Sequence, residues 1–457
     1  MKPVVGQSAK TTVGAKCDGA TLMSLLVPQD HADGQGLPAW LRERRAEWRS
    51  LAAMVTLPTA RDEEWRFTSL TPLLARRFVV ARSEERIEHS SLTSLVSGQG
   101  DGARLVFVNG VFESRLSTPD LDEPGVEAVV LSRTRGAPPA WVAAHFRREV
   151  NRHTDVCAIL NNACFRDAVC IRVAPGAVLR RPVHLIFVTH LHSELLAVHP
   201  HVFVSLGTSA TASICEHHLG VGAGAYLTNP FTRLEIGDGA RLEYIRVQNE
   251  LLDGFHLGSC SLHQMRDSCV TARLLSLGGA LVRQELEGSL EGPDAVCTLG
   301  GLSIGERHQH LDTHLRIVHR APRTTSREVF KAVLSGQSRG VFSGRIIVQP
   351  AAQKTDAKQS NMNLLLSDDS RSYSRPQLEI YADDVKCTHG ATAGRLNEEA
   401  LFYLRSRGLP LAAARSLLVH AFAADILSEI GCAALRRRLE AALRAKLTSG
   451  LGVGELP

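Results

Sequence analysis

From residue 146 to residue 392 the chain is written in short alternating segments broken at glycine corners, and that texture limits its possible folds more than any other feature. The stretch RLEIGDGARLEYIRVQ, Arg233–Gln248, shows the unit. Leu234 and Ile236 alternate with Arg233 and Glu235, Gly237 and Gly239 form a corner, and Leu242 and Tyr244 resume the alternation. Such alternation marks a strand with two unlike faces, because successive side chains leave a strand on opposite sides. Corners recur at Gly176, Gly207, Gly239 and Gly279, spaced 31, 32 and 40 residues apart. Those intervals exceed a single hairpin and are too uneven for a propeller or a leucine-rich repeat, but they suit a solenoid whose coils carry variable loops. No long helical pattern interrupts the region, which argues against a doubly wound parallel sheet. A parallel β-helix or a sandwich remains, and the β-helix is the expected fold.

The flanks read differently. Residues 1–145 are expected to form a mostly helical N-terminal region, with the first thirty or so residues a frayed tail. In LPAWLRERRAEWRSLAAM, Trp40, Leu41, Trp48, Leu51, Ala52 and the following Val55 fall near one helical stripe, with arginines and glutamates on the other side. Three of the four tryptophans, Trp40, Trp48 and Trp65, lie in the first 65 residues; helix packing, rather than an aromatic ligand box, is their expected use. PTARDEEWRFTSL, Pro58–Leu70, is a charged turn whose Trp65 and Phe67 can fold back on that helix. Residues 393–457 turn helical again. Asn397 is placed to cap a helix with Glu398 and Glu399 in its first turn, Gly408 stops it, and Pro410 opens the next. There Leu411, Ala414, Leu418, Phe422, Ile426 and Ile430 form one stripe, while Leu417, Ala421, Ala424 and Leu427 make the rest apolar too. Burial on more than one side is expected, under the solenoid or against a partner.

Composition excludes several classes. Lys plus Arg at 52 against Asp plus Glu at 47 give a net charge of +5, spread along the chain, so no nucleic-acid partner is expected. The nearest basic run, ALRRRLEAALRAK (Ala434–Lys446), spaces its arginines as the solvated side of a helix. No stretch approaches 18 uncharged apolar residues, so no membrane span is expected, and the opening MKPVVGQSAKTTVGAK lacks the apolar core of an export signal. Ten cysteines without a C-x-x-C pair are then expected to be free thiols in a reducing, cytoplasmic compartment. Cys157, Cys164 and Cys170 fit no zinc or cluster spacing and read as core residues. The chain has no Gly-Lys pair, hence no Walker-type phosphate cradle, and any ATP must be hydrolysed elsewhere. GVGAGA, Gly220–Ala225, matches a dinucleotide loop in pattern, but no long helix follows to seat a pyrophosphate, and it reads as a solenoid corner. Neither G-x-S-x-G nor H-E-x-x-H occurs.

Two groups of side chains remain as candidate sites. In ERHQHLDTHLRIVH, the residues His308, His310, Asp312 and His314 share one strand face, and two histidines with a carboxylate suit non-haem iron or another divalent ion. The polar outer face of a coil is the competing reading. His217 and His218, being adjacent, point to opposite faces and cannot act together. In LEIYADDVKCTHGAT, Leu378–Thr392, Cys387 and His389 stand two residues apart where an alternating strand runs out. They point the same way, about 7 Å apart along the strand, and can offer a thiolate and a neutral imidazole to a soft metal. Two ligands make half a metal site, and a small buried thiol beside a turn histidine is the competing reading.

The segment from about Gly301 to Ile430, carrying HLDTHLRIVHRAP, GVFSGRIIVQPAAQKTDAKQSNMNLLLS, SRPQLEIYADDVKCTHGAT and EEALFYLRSRGL, resembles the SufD branch of the SufB/SufD family of the SUF iron–sulfur cluster assembly machinery. LPTARDEEWRFTSL and APGAVLRRPVHLIFV extend the resemblance more weakly to most of the chain. It implies a mainly β fold: a right-handed parallel β-helix core over 146–392, flanked by helical N- and C-terminal regions. It implies a non-catalytic scaffold that pairs with a SufB-like paralogue through the β-helix and docks a SufC-like ABC ATPase through the C-terminal helices. ATP would sit on that partner, and no cofactor would be held permanently. Iron or a nascent iron–sulfur cluster would be held transiently at the subunit interface, with reduced flavin associated with complexes of this type although no flavin site is evident here. SufB-like chains carry EHEA where this one has CTHGAT, which favours the SufD branch; a SufB-like main scaffold is the alternative. Carried over, Cys387 and His389 lie at the SufB-facing edge, with His389 the better candidate for iron or a nascent cluster and Cys387 an assisting thiol. Incomplete coordination suits a cluster that is to be passed on. The rival outside the family is a β-helix carbohydrate-acting enzyme with RHQHLDTH lining a groove; an aromatic content of 5% and the missing export signal weigh against it.

Overall fold

Thr211, Arg241, Cys269, Val296, Thr325, Asp356 and Lys386 stand one above another on consecutive parallel strands, so each turn of the chain takes 27–31 residues. This ladder belongs to one of two sheets in a computed structural model that describes residues 39–80, 89–97, 102–118, 123–149, 155–191 and 195–449. From Phe231 to Gly394 successive strands go to alternate sheets, and each but the last two pairs with the strand two further along the chain. The fold is the mainly β, parallel β-solenoid expected from the alternating segments. The expected frayed tail and Cys17 lie outside the described residues.

The corners explain why the glycine spacing was uneven. Along one edge the chain passes through the left-handed region once per coil, at Gly176, Ser209, Gly239, Asp267, Asp294, Arg323 and Lys354, with φ between 55° and 70°. Each of these residues donates its backbone N–H to the next coil, as Ser209 does to Asp238 O and Lys354 to Asp384 O. Gly279 belongs to the opposite edge, with Arg307 and Gly336, so the 40-residue interval joined two different corners. Glycine is favoured in this conformation because it has no Cβ to clash, yet the stacked amide bonds hold Asp, Arg and Lys there as well.

Residues at alternate positions fill the interior. Leu234, Ile236, Leu242 and Tyr244 lie in one continuous apolar core with Val270, Leu274, Leu299, Phe330 and Phe342. Full burial of an aliphatic side chain contributes roughly 1.5–3 kcal/mol, so the coils are held mainly by this column. At the N-terminal end Ala103–Val108 pairs with Val183–His190, and Val126–Val130 runs antiparallel to Ala168–Val173. At the other end Arg371–Ile380 and Lys386–Gly394 each close a sheet, and no further strand pairs with either among the described residues.

Helices cover the outside. The helix Ala39–Met54 buries Leu41, Trp48 and Ala52, and Trp48 packs 6.2 Å from Phe146 and 6.1 Å from Phe165. Trp65 is buried under the Arg283 guanidinium, 3.7 Å from its ring centre, so these tryptophans serve packing as expected. Asn397 Oδ1 accepts the Ala400 amide at 2.9 Å and caps the helix Glu398–Ser406. The helix Leu411–Ser428 lays Val419, Ala423, Ile426 and Leu427 on the outer side of Leu302, Ile304 and Val333, and Ala433–Ser449 adds Leu435, Leu439 and Leu443. Leu411–Ser428 is long and apolar enough by length and composition to cross a membrane, but it contains Asp425, which pairs with Lys331 of the solenoid at 2.7 Å. Its opposite side, with Leu411 and Leu417, is exposed, as are Phe402 and Tyr403 on the preceding helix. The solenoid therefore covers one side only.

Candidate functional site

The last coil places Cys387 and His389 together. Lys386–Gly394 pairs in parallel with Asp356–Leu365, which aligns Cys387 with Ala357 and His389 with Gln359. Ala357 and Gln359 are buried interior positions, so Cys387 and His389 stand on the same inward row, as their two-residue spacing requires. With no coil beyond them, that row opens at the end of the solenoid. His389 is exposed, and Cys387 is half-buried against Ile346, Val348, Ala357 and Leu378. Burial raises the Cys387 thiol above its ordinary value, a hydrogen bond with the Ala357 backbone partly offsets this, and the Asp356 charge adds to the rise. The thiol is thus protonated at neutral pH, and a metal must displace that proton to bind. Tyr381 and Ile380, also at this end, are exposed apolar side chains.

Behind these residues the interior turns from apolar to polar. Gln359 Nε2 donates to Glu328 Oε2 at 2.5 Å, one coil further in, and both residues are buried. Burial pushes the Glu328 carboxyl up to about 8, against the Gln359 hydrogen bond, so it is largely neutral at pH 7. Beside it, Ser374 Oγ and Asn363 Nδ2 donate to Asn361 Oδ1 at 2.5 and 2.7 Å, and Asn363 also reaches the Thr392 carbonyl at 3.1 Å. The alternation in QSNMN does not say which face is interior. Only the register shows that Gln359, Asn361 and Asn363 point inward. A second polar group lies deeper. The carboxylate of Glu216 accepts from Tyr244 Oη at 2.6 Å and Thr232 Oγ1 at 2.8 Å, and meets Arg246 at 3.2 Å and His218 at 2.7 Å. His218 is in that interior group, whereas His217 faces outward and meets His184 at 3.0 Å.

The histidine strand is structural. His310, Asp312 and His314 share the outer face of one coil, and the segment Glu64–Thr68 lies across them. Asp312 Oδ2 accepts from Thr68 Oγ1 at 2.5 Å and Arg283 Nη1 at 2.7 Å, and His314 lies 3.0 Å from its other oxygen. Although burial opposes it, the charges of His314 and Arg283 hold the Asp312 carboxyl far below its usual range. Burial pulls His314 down, but the Asp312 charge together with hydrogen bonds to Asp312 and Glu64 raises it overall. His308 precedes the strand and lines a neighbouring cleft together with His310, without joining the hydrogen bonds around Asp312. Among the described residues no group of three or more His, Cys, Asp and Glu is arranged to hold a metal ion, and Cys387 and His389 have no third such residue placed to complete a set with them. The described cysteines are all unpaired, and Cys157, Cys164 and Cys170 are buried core residues.

Two family models cover nearly all of the described chain. The SUF system FeS cluster assembly SufBD core domain matches residues 188–422, and the SufBD protein N-terminal region matches residues 29–185. An iron–sulfur cluster assembly SufBD family protein of Synechocystis is 32% identical over 85% of this chain and 87% of its own length. Iron–sulfur cluster assembly protein SufD of Escherichia coli is 29% identical over 86% of this chain and 90% of its own. A SufBD family protein of Mycobacterium leprae is 28% identical over 86% and 91%.

Proposed function

The chain belongs to the SufBD family, which places its role in SUF iron–sulfur cluster assembly, and from that premise we propose that it is a SufD-type, non-catalytic scaffold of the complex. The observation that carries this reading is the open end of the solenoid. There an unpaired strand edge, exposed apolar side chains and the half-site of Cys387 and His389 lie together. Exposed strand edges pair readily with further chains, so a parallel β-helix ending this way is completed by another β-helix. The natural occupant is a SufB-like paralogue, which supplies the remaining ligands. His389 is then the principal contact for iron or a nascent cluster and Cys387 the assisting thiol. Because neither subunit alone completes the coordination, the cluster is held transiently and released when the interface opens.

The exposed side of the C-terminal helices, with Phe402, Tyr403, Leu411 and Leu417, is the docking surface for a SufC-like ABC ATPase. ATP hydrolysis belongs to that partner, in a cytoplasmic complex. An anaerobic pull-down of the tagged full-length chain, read by mass spectrometry, tests the assembly. Recovery of a paralogous β-helix subunit and an ABC ATPase is expected, with Tyr381→Asp losing the first and Phe402→Asp the second. A full-length chain that emerges alone sinks the proposal.

A further inference from the structure

A cavity of about 780 Å³ opens between the coil carrying Arg180 and Arg181 and the start of the helix Ala433–Ser449. Arginines from three separate segments converge on it: Arg104 from a strand, Arg180 and Arg181 from a coil corner, and Arg437 from the helix. None of the four side chains is in an ion pair or a hydrogen bond among the described residues, and the Arg104 Nε is buried without a partner. Among the described residues the one carboxylate lining the cavity is Glu243, which is hydrogen-bonded already: Oε2 accepts from Ser213 Oγ at 2.8 Å and Oε1 from the Gly431 amide at 2.7 Å. Some arginines of the neighbouring coils do find partners, as Arg323 does with Asp294 and Arg327 with Asp356, and what sets the cavity apart is that four unpaired ones converge on it.

Four cations gathered around one concavity repel each other, and although Arg180, Arg181 and Arg437 are solvent-exposed, a multiply charged anion removes that repulsion. The free N–H groups of the helix start at Ala433 and Ala434, which also line the cavity, add a positive potential of the same sign. We infer that this cavity is a binding site for a small phosphate-bearing anion, held by Arg104, Arg180, Arg181 and Arg437. It lies apart from Cys387 and His389, and its occupancy ties the N-terminal strand, the solenoid and the C-terminal helices together.

Cys432 lines the same cavity and is half-buried, which provides a local readout. Cys269 and Cys387 are also half-buried and lie elsewhere, so they serve as internal references. The full-length protein is titrated with pyrophosphate at constant ionic strength, and alkylation of each cysteine by iodoacetamide is followed by peptide mass spectrometry. Saturable slowing of Cys432 with no change at Cys269 or Cys387 is expected. Inorganic phosphate should act similarly but at higher concentration. A hydrogen bond to a charged group contributes about 1.5–3 kcal/mol, so Arg437→Ala and Arg180→Ala should each weaken protection roughly ten- to hundredfold. Unchanged reactivity of the reference cysteines reports that a variant is folded, and the wild-type titration stands even if a variant is not. Equal slowing of all three cysteines, no saturation, or full protection in both variants overturns the site.

Discussion

Gln359 lies one coil below His389 and donates a 2.5 Å hydrogen bond from Nε2 to Oε2 of the buried Glu328, one coil further in. Burial holds that carboxyl near 8 when folded, against an ordinary value of 4.5. The folded protein therefore keeps a proton that the unfolded chain has lost, and stability contributed by this residue falls as pH rises from 4.5 through about 8, then levels off. Glu328→Gln keeps an acceptor for Gln359 and has no proton to lose. It is expected to be more stable than wild type by up to about 4 kcal/mol at pH 8 and by no more than about 1 kcal/mol at pH 5, since each unit of displacement is worth about 1.4 kcal/mol. Urea unfolding midpoints at the two pH values check this; an equal difference at both refutes it.

Among the described residues Asp312 is the only carboxylate in contact with both Thr68 and Arg283, and it is buried with Arg283 beneath the segment Glu64–Thr68. Asp312→Ala leaves the buried guanidinium with Glu285 as its one carboxylate partner beside the Glu64 carbonyl, a change expected to cost up to about 3–5 kcal/mol, the range for breaking a buried ion pair. Thermal unfolding should show that loss, and limited proteolysis should find new cleavage near Glu64. His308→Ala, outside the network, is expected to leave both unchanged. If Asp312→Ala instead lowers iron binding at unchanged stability, the strand is a metal site after all.

Much of this was legible in the sequence. The alternating segments identified the solenoid because an interior column requires period two, and the lone Cys387 and His389 were correctly set on one face by the same rule. Which face was interior could not be read, because Gln359, Asn361 and Asn363 break the usual association of apolar with inward. The glycine corners were only partly informative, since Asp267, Asp294, Arg323 and Lys354 occupy the same left-handed conformation without being glycine. The histidine strand carried metal-like residue types, and only the docking of Thr68 and Glu64 across it, more than 240 residues away in the chain, shows their use.

The two sides of the C-terminal helices should respond oppositely to truncation. Val419 and Ile426 are buried against the solenoid, and Ile426→Ala is expected to lower stability by about 2–5 kcal/mol through the lost methylenes and the cavity left behind. Phe402 and Tyr403 are exposed, so replacing both by Ala should alter stability by no more than about 0.5 kcal/mol. The double variant should nevertheless fail to retain the ATPase in a pull-down. Loss of stability without loss of the ATPase would move the docking surface elsewhere.

Cys387 and His389 contribute little to the fold, because His389 is exposed and Cys387 packs at the margin of the last apolar cluster. Cys387→Ser and His389→Ala should each unfold within about 1 kcal/mol of wild type, as substitutions away from a packed core usually do. Their effect is expected on metal. With Co(II) as probe and the paralogous subunit present, a sulfur-to-cobalt charge-transfer band should appear, and it should strengthen as pH rises above neutral because binding must remove the proton that burial keeps on the Cys387 sulfur. Cys387→Ser should weaken the band and flatten its rise with pH, and His389→Ala should lower Co(II) occupancy more than Cys387→Ser does. A band of equal strength in the chain alone would mean that the protein completes the site by itself. Wild-type occupancy in both variants would show that the metal is bound elsewhere in the complex.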